Sequence, residues 1–241
     1  MSGTIAIGTS GWHYLHWRGR FYPERLPPAR MLEAYRERFD TVEINNSFYR
    51  LPRADAVDCW SDSTPRSFCF AVKGSRFLTH MKKLKDPEAG LARFLPLAER
   101  LRDKLGPILF QLPPHWSADP ARLEAFLRAL PRRHRYGFEL RDPSWFVPEV
   151  YAVLARHNAA LCVYHLAGFR SPVRHTADFA YVRLHGPGGK YQGSYDRAEL
   201  EQWAHRLGAW RRRLNAVYVY FDNDQAGYAA LNALALKELV G

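Results

Sequence analysis

Cysteine is scarce in this chain: Cys59, Cys69 and Cys162 are the only three among 241 residues, far apart and without a CxxC pair. That argues against a disulfide framework or a zinc ribbon and makes a reducing cytoplasm the expected compartment. Long apolar runs are lacking too. None approaches the roughly 18 residues needed to cross a bilayer, so no membrane partner is expected. Met1-Ser2-Gly3-Thr4 opens the chain without a basic segment leading into an apolar one, so no secretory leader is expected. Linkers, low-complexity stretches and sequence repeats are missing, which leaves residues 1–241 as one expected domain. Acidic residues are the minority charge, 24 against 35 Lys plus Arg, for a formal net charge of +11. A surplus of that size concentrates anions near the surface, whether phosphorylated metabolites or nucleic acid. Much of it falls in clusters such as Arg132-Arg133-His134-Arg135 and Arg211-Arg212-Arg213, which also read as solvated helix faces.

What is present is an ordinary globular composition, 47% hydrophobic and 24% charged. Apolar runs of strand length recur at 4–8, 41–45, 68–73, 108–112, 136–141, 161–165, 181–185 and 217–222, several dense in β-branched and aromatic residues. Helical stripes lie between most of them. One holds Met31, Leu32, Tyr35 and Phe39. Another runs from Leu91 through Phe94, Leu95, Ala98 and Leu101 to Leu105, ended by Gly106-Pro107. Asp119-Pro120 is an N-cap followed by proline at the first helical position. Leu200, Trp203, Leu207, Trp210 and Leu214 make a further stripe. Eight strands alternating with helices predict an α/β fold, a single (β/α)8 TIM-type barrel. Residues 55–64 are a short connection that fits this pattern poorly, and 167–179 show no helical stripe, so the sixth helix is expected to be irregular or missing. An open doubly wound sheet is the competitor. It would carry a glycine-rich phosphate turn after strand one, but Gly8-Thr9-Ser10-Gly11-Trp12 lacks GxGxxG and runs into a long aromatic loop.

Strand residues alternate sides, which sorts each run into a helix-facing and an axis-facing set. Val42 and Ile44 go outward and Glu43 and Asn45 inward. Lys73, Gln111, Glu139, Arg141, Arg183 and His185 are assigned inward, as are Tyr218, Tyr220 and Asp222. If Cys162 and Tyr164 face outward, His165 faces inward. Most of these polar residues end their strands, the end where barrel enzymes build their sites. They are therefore expected to converge on one mouth, where buried charges persist only if they pair with one another or with a ligand. A self-satisfied salt-bridge network without chemistry is the alternative.

The long loop 9–27 carries Trp12, His13, Tyr14, His16, Trp17, Arg18, Phe21 and Tyr22, either a stacking surface for a sugar or base or a packed lid. Lys73, Ser75, Arg76, Thr79 and His80 suit an oxyanion, and Gly186-Pro187-Gly188-Gly189-Lys190 offers backbone N–H groups after strand seven. His13-x-x-His16 is a poor metal motif, and both HExxH and GxSxG are absent. A divalent metal on Glu43, Glu139, His185 and Asp222 is chemically possible, but Lys73, Arg141 and Arg183 oppose it; no cofactor is assigned.

These motifs together resemble a known family. Gly8-Thr9-Ser10-Gly11-Trp12 with Phe21-Tyr22-Pro23, Val42-Glu43-Ile44-Asn45 with Ser47-Phe48-Tyr49, and Phe70-Ala71-Val72-Lys73 with Arg76 and Thr79-His80 are similar to its first signatures. Phe110-Gln111-Leu112-Pro113-Pro114, Phe138-Glu139-x-Arg141 with Ser144-Trp145, Arg183-x-His185-Gly186 and Tyr220-Phe221-Asp222-Asn223-Asp224 complete the series. The family is the YecE-like one, domain of unknown function 72. The resemblance implies a TIM-type barrel and no established reaction. Asp222 stands where Asn is commoner in that pattern, and His165 where Asp is commoner.

The leading expectation is an enzyme acting on an anionic substrate, phosphorylated or carbohydrate-bearing, by hydrolysis or isomerisation. Glu43 and Glu139 would be the acid/base pair and His185 a second proton-transfer group. Lys73, Arg76, His80, Arg141 and Arg183 would bind the anion, Asn45 and Gln111 would orient it, and Trp12 and Tyr220 would line the site. A non-catalytic nucleic-acid-binding barrel and an ion-paired interaction protein stand beside it.

Overall fold

A computed structural model describes residues 2–241. The strands are β1 (Thr4–Thr9), β2 (Thr41–Ile44), β3 (Cys69–Lys73), β4 (Leu105–Gln111), β5 (Tyr136–Glu139), β6 (Ala160–Leu166), β7 (Phe169–Arg170), β8 (Phe179–Leu184) and β9 (Ala216–Phe221). The α-helices are α1 (Met31–Arg36), α2 (Ala54–Asp62), α3 (Glu88–Glu99), α4 (Pro120–Ala129), α5 (Pro148–Arg156), α6 (Arg197–Arg211) and α7 (Tyr228–Val240). Setting aside the two-residue β7, eight strands, all but β6 followed by a helix, make an α/β fold of the (β/α)8 TIM type. The described residues fall into two compact units, one of 2–43, 163–171 and 179–241, the other of 44–162 and 172–178.

In the first unit β9 is central. It pairs in parallel with β1 from Thr4↔Ala216 to Thr9↔Phe221, and with β8 from Phe179↔Ala216 to Leu184↔Phe221. Beyond β1 the chain reaches the end of β2, where the Gly11 N–H donates to the Glu43 carbonyl at 2.8 Å. Gly8 permits that approach, since a Cβ there would lie 2.2 Å from the Thr41 carbonyl oxygen. The Tyr35 hydroxyl joins the same strands, accepting from the Thr9 N–H and donating to the Thr41 carbonyl, both at 3.0 Å.

The other unit is built on β3, β4, β5 and the first residues of β6. Lys73 pairs with Leu109, Leu109 with Gly137, and Gln111 with Glu139. Phe94, Phe110, Phe126 and Phe138 fill its core, their side chains fully or almost fully buried. Asp119 caps α4 by accepting from the Arg122 N–H at 3.0 Å, with Pro120 in the first turn, as the sequence predicts.

Two local expectations need correction, and the missing sixth helix is as expected. The poorly fitting segment 55–64 forms most of a regular helix, α2, with Val57 and Ser61 on its buried face. Gly106-Pro107 does not end the preceding helix but lies inside β4, at a register shift between Phe70↔Leu105 and Val72↔Ile108. A bulge tolerates proline, and glycine is required because a Cβ would meet the Cys69 Sγ at 2.4 Å. The stretch after β6 carries no helix. It turns back as an antiparallel hairpin, His165↔Arg170 and Leu166↔Phe169, through Ala167 and Gly168 at φ 49° and 79°.

Candidate functional site

Each unit carries one buried polar cluster at the C-terminal ends of its strands. In the first, Tyr181, Arg183 and His185 follow each other at the two-residue period of β8 and so point the same way. Glu43, wholly buried, meets two of them. Its Oε1 accepts from Arg183 Nη2 at 2.7 Å and from Ser10 Oγ at 2.5 Å, and its Oε2 accepts from Tyr181 Oη at 2.6 Å. Arg183 Nη2 also donates to Ser10 Oγ at 3.1 Å and to Asp222 Oδ2 at 3.0 Å. His185 Nδ1 lies 3.0 Å from the same Asp222 oxygen, and its Nε2 lies 3.5 Å from Arg183 Nη1. With Asp222 accepting at one nitrogen and Arg183 facing the other, the ring carries a proton on Nδ1. Burial and the neighbouring Glu43 carboxylate drive the Tyr181 phenol well above its ordinary range, so it stays a donor. Asp222 is the edge of this network at 8% exposed, while Glu43, Arg183 and His185 are at 0%.

This arrangement changes three expected roles. Both oxygens of Glu43 already accept strong hydrogen bonds, which suits a fixed anion better than a proton carrier. Tyr220 does not reach a mouth: it is fully buried, with its hydroxyl 2.8 Å from Thr41 Oγ1. Trp12 is also buried, and its carbonyl accepts from Tyr22 Oη at 2.7 Å. The loop around it packs on itself, Trp17 on Phe21 at 5.4 Å between ring centroids and Phe21 on Phe39 at 5.7 Å. Of the two expectations for that loop, the packing is what these contacts show. It is tied down at Asp224, which accepts from Trp17 Nε1 at 2.5 Å and lies 3.0 Å from His16 Nε2. Burial, opposed by those two contacts, raises the Asp224 carboxyl to about 6.

The facing of β6 is the reverse of the conditional reading. Tyr164, not His165, lies on the His185 side, with ring centroids 6.2 Å apart. His165 packs 5.6 Å from Tyr195, which itself rests on the helix-facing Phe221. Its Nδ1 has no hydrogen-bond partner among the described residues, and burial lowers the imidazole pKa.

The second cluster is cationic. Lys73 ends β3 with its Nζ 4.2 Å from the centroid of the Phe48 ring. Edge-on against Phe48, at 5.0 Å, stands His80, whose Nδ1 lies 2.9 Å from Thr79 Oγ1. The Ser47 hydroxyl donates to the Lys73 carbonyl at 2.6 Å, which fixes the turn carrying Phe48 against β3. Arg141, two residues past β5, folds back to pair with the fully buried Glu139 carboxylate. Gln111 is the register partner of Glu139, so the two side chains leave neighbouring strands on one side. Gly137, one layer below Glu139, adds no side chain there. Arg76 is exposed. Two buried amide oxygens, Asn45 Oδ1 and Gln111 Oε1, have no hydrogen-bond partner among the described residues.

Burial first, and then the charges of Lys73, Arg76 and Arg141, push the His80 imidazole down from 6.5 to about 4. The ring is therefore neutral at pH 7. An imidazole held neutral by folding adds stability that is complete above pH 6.5 and is lost as the pH falls through about 4. His80→Gln should flatten that loss: in urea titrations from pH 7 to pH 4, the wild-type midpoint falls more steeply than the variant's.

Among the described residues no three His, Cys, Asp or Glu side chains gather closely enough to hold a metal ion. No helix is long and apolar enough to cross a membrane. The sequence reading missed Ser10, Tyr181 and Phe48 as site residues. Tyr181 was findable, since it sits two residues before Arg183 on the same strand face.

The family model described as "Protein of unknown function DUF72" matches residues 6–241. UPF0759 protein YunF of Bacillus subtilis (strain 168) is 29% identical over 272 aligned positions, covering 98% of this chain and 94% of that protein. UPF0759 protein YecE of Escherichia coli (strain K12) is 32% identical over 145 positions, 59% of this chain and 50% of its own length. Among solved structures, a DUF72 family protein from Thermotoga maritima MSB8 superposes with a TM-score of 0.90 at 29% identity, covering 98% of this chain and 99% of that one. One from Enterococcus faecalis V583 gives 0.83 at 19% identity over 98% and 95%, a likeness of fold alone. With the barrel pattern and the ordered motifs already in place, a match running from residue 6 to the last residue settles the family: the chain belongs to DUF72.

Proposed function

We propose that the protein is an enzyme acting on a phosphorylated or carbohydrate-bearing anion at the strand-end cluster of β3, β4 and β5. The observation that carries this reading is the charge balance there. Lys73, Arg76 and Arg141 all act on His80, where their field helps keep the ring unprotonated, and Arg141 is held by the Glu139 carboxylate. Glu139 orients the Arg141 guanidinium, which together with Lys73 and Arg76 receives the anion. His80 is the proton-transfer group. Bound anion offsets the field that depresses its pKa and brings it closer to the working range of a general acid or base.

Titration with inorganic phosphate, followed by calorimetry and by the His80 ring resonances, tests the reading. Saturable binding that moves the His80 titration upward, and that Lys73→Met weakens at least about tenfold, is the expected result. No saturable binding at low ionic strength would overturn it.

A second reading has its own observation. On the loop after β3, Phe77 and Met81 are exposed at 39% and 67% among Arg76, Lys82, Lys83 and Lys85, a mix of aromatic and basic groups that suits single-stranded nucleic acid. It requires oligonucleotide binding that falls steeply with salt. Filter binding at two salt concentrations decides it.

A further inference from the structure

Phosphate alone would leave part of the second cluster unmet. Gln111 Oε1 and Asn45 Oδ1 are acceptors buried without a hydrogen-bond donor, and a buried acceptor left unmet costs roughly 1–3 kcal/mol. Gln111 is 91% buried, exposed at only 9%. Its register partner is Glu139, which holds Arg141, so Gln111 leaves the sheet beside the residue that positions the guanidinium. Asn45 directly follows β2, two residues before Ser47, whose hydroxyl is bound to the Lys73 carbonyl. The two amides thus belong to strand ends that neighbour those carrying the cations, Gln111 through Glu139 and Asn45 through the turn that Ser47 fixes to Lys73.

Each half of the cluster specifies a different part of a ligand. Lys73, Arg76 and Arg141 bring three positive charges to bear on this cluster, and Arg141 is held by Glu139. That matches a phosphate monoester, which carries about −1.5 to −2 at pH 7, better than it matches a carboxylate. The amide oxygens require donors, which a phosphate dianion does not have. A hydroxyl supplies one, and because it both donates and accepts it satisfies an amide in either orientation. A neutral sugar would bring no charge to Lys73, Arg76 and Arg141, and an inorganic anion would leave the amides unanswered.

We infer that the ligand of this cluster is a phosphate monoester of a polyhydroxylated molecule, its phosphate on Lys73, Arg76 and Arg141 and its hydroxyls on Gln111 and Asn45. The inference rests on the anion reading above and narrows it to a chemical class. Phe48 contributes by holding Lys73 and His80 on its ring, and it makes no polar contact of its own to the ligand.

Calorimetry with inorganic phosphate, ribose 5-phosphate and ribose, at one ionic strength, separates the two ideas. Ribose 5-phosphate is expected to bind about tenfold or more tighter than inorganic phosphate, as two added hydrogen bonds would give, and ribose not measurably. Gln111→Met should bring the ratio of the two phosphate affinities near one, and Lys73→Met should weaken both ligands together. Asn45→Ala supplies the same test where Gln111→Met folds poorly, and circular dichroism reports folding for each. Equal affinities for the two phosphates in the wild-type protein would overturn the hydroxyl inference and leave the anion reading standing. Absence of binding by either phosphate would overturn both.

Discussion

Arg183→Met is expected to destabilise the protein by roughly 3–5 kcal/mol, the range for breaking a buried ion pair from one side. Glu43 and Arg183 are both at 0% exposure and 2.7 Å apart. Without the guanidinium, the Glu43 carboxylate is left, among the described residues, with the Ser10 and Tyr181 hydroxyls as its hydrogen-bond donors. Adding Glu43→Gln should recover more than half of the loss, since the amide keeps an acceptor for those hydroxyls and removes the stranded charge. Urea unfolding at pH 7 of the wild type, both single variants and the double variant measures this as a thermodynamic cycle. An Arg183→Met midpoint within experimental error of the wild type would contradict the description of Glu43 as a fixed, charged member of the network.

Arg141→Met should have the second large effect, and it should show in two readouts at once. The Glu139 carboxylate is wholly buried and Arg141 is its ion-pair partner, with the arginine side chain itself only 8% exposed. Its removal is expected to cost about 3 kcal/mol or more near neutral pH. The same substitution removes one of the three charges assigned to the anion, so phosphate affinity should fall at least about tenfold. Losing one of its three depressing charges, the His80 pKa should rise from about 4. Chemical denaturation near neutral pH and titration of the His80 resonances measure these effects separately. A variant that loses stability while keeping full phosphate affinity would confine Arg141 to a structural role.

Much of this was legible because β-strands have an exact two-residue period. Arg183 and His185, or Tyr220 and Asp222, must share a face whatever surrounds them, and no packing detail alters that. The period leaves the choice of face open where both sets are mixed. Strand β6 is such a case: Tyr164 and His165 are both polar-tipped rings, and Tyr195 and His185 decide which one turns to which side. Position along the strand was less legible than direction. Tyr220 faces the same way as Asp222, but it lies one layer deeper, where Thr41 takes its hydroxyl and nothing outside can reach it.

The lost details depend on contacts distant in the chain. Gly106-Pro107 reads as a helix stop in any short window, and only its register against Phe70 and Val72 makes it a bulge. Trp12 reads as an exposed platform until the Tyr22 hydroxyl claims its carbonyl. Glu43 reads as an acid/base candidate because two-residue parity aims it inward, and parity is silent on how many donors are waiting there. The orphan oxygens of Asn45 and Gln111 are invisible to sequence for the same reason, since being unpartnered is a property of the surroundings.

The Glu43 network also bears on how the chain is made. Ser10, 33 residues earlier, is already present when Glu43 leaves the ribosome, but Tyr181 and Arg183 follow 138 and 140 residues later. At about 5–20 residues per second, that is a wait of roughly 7 to 28 seconds. Throughout it β2 is synthesised without the arginine that neutralises its carboxylate and without the strand that supplies it. A negative charge between Val42 and Ile44 keeps that apolar edge hydrated in the meantime, which discourages premature pairing with another nascent chain.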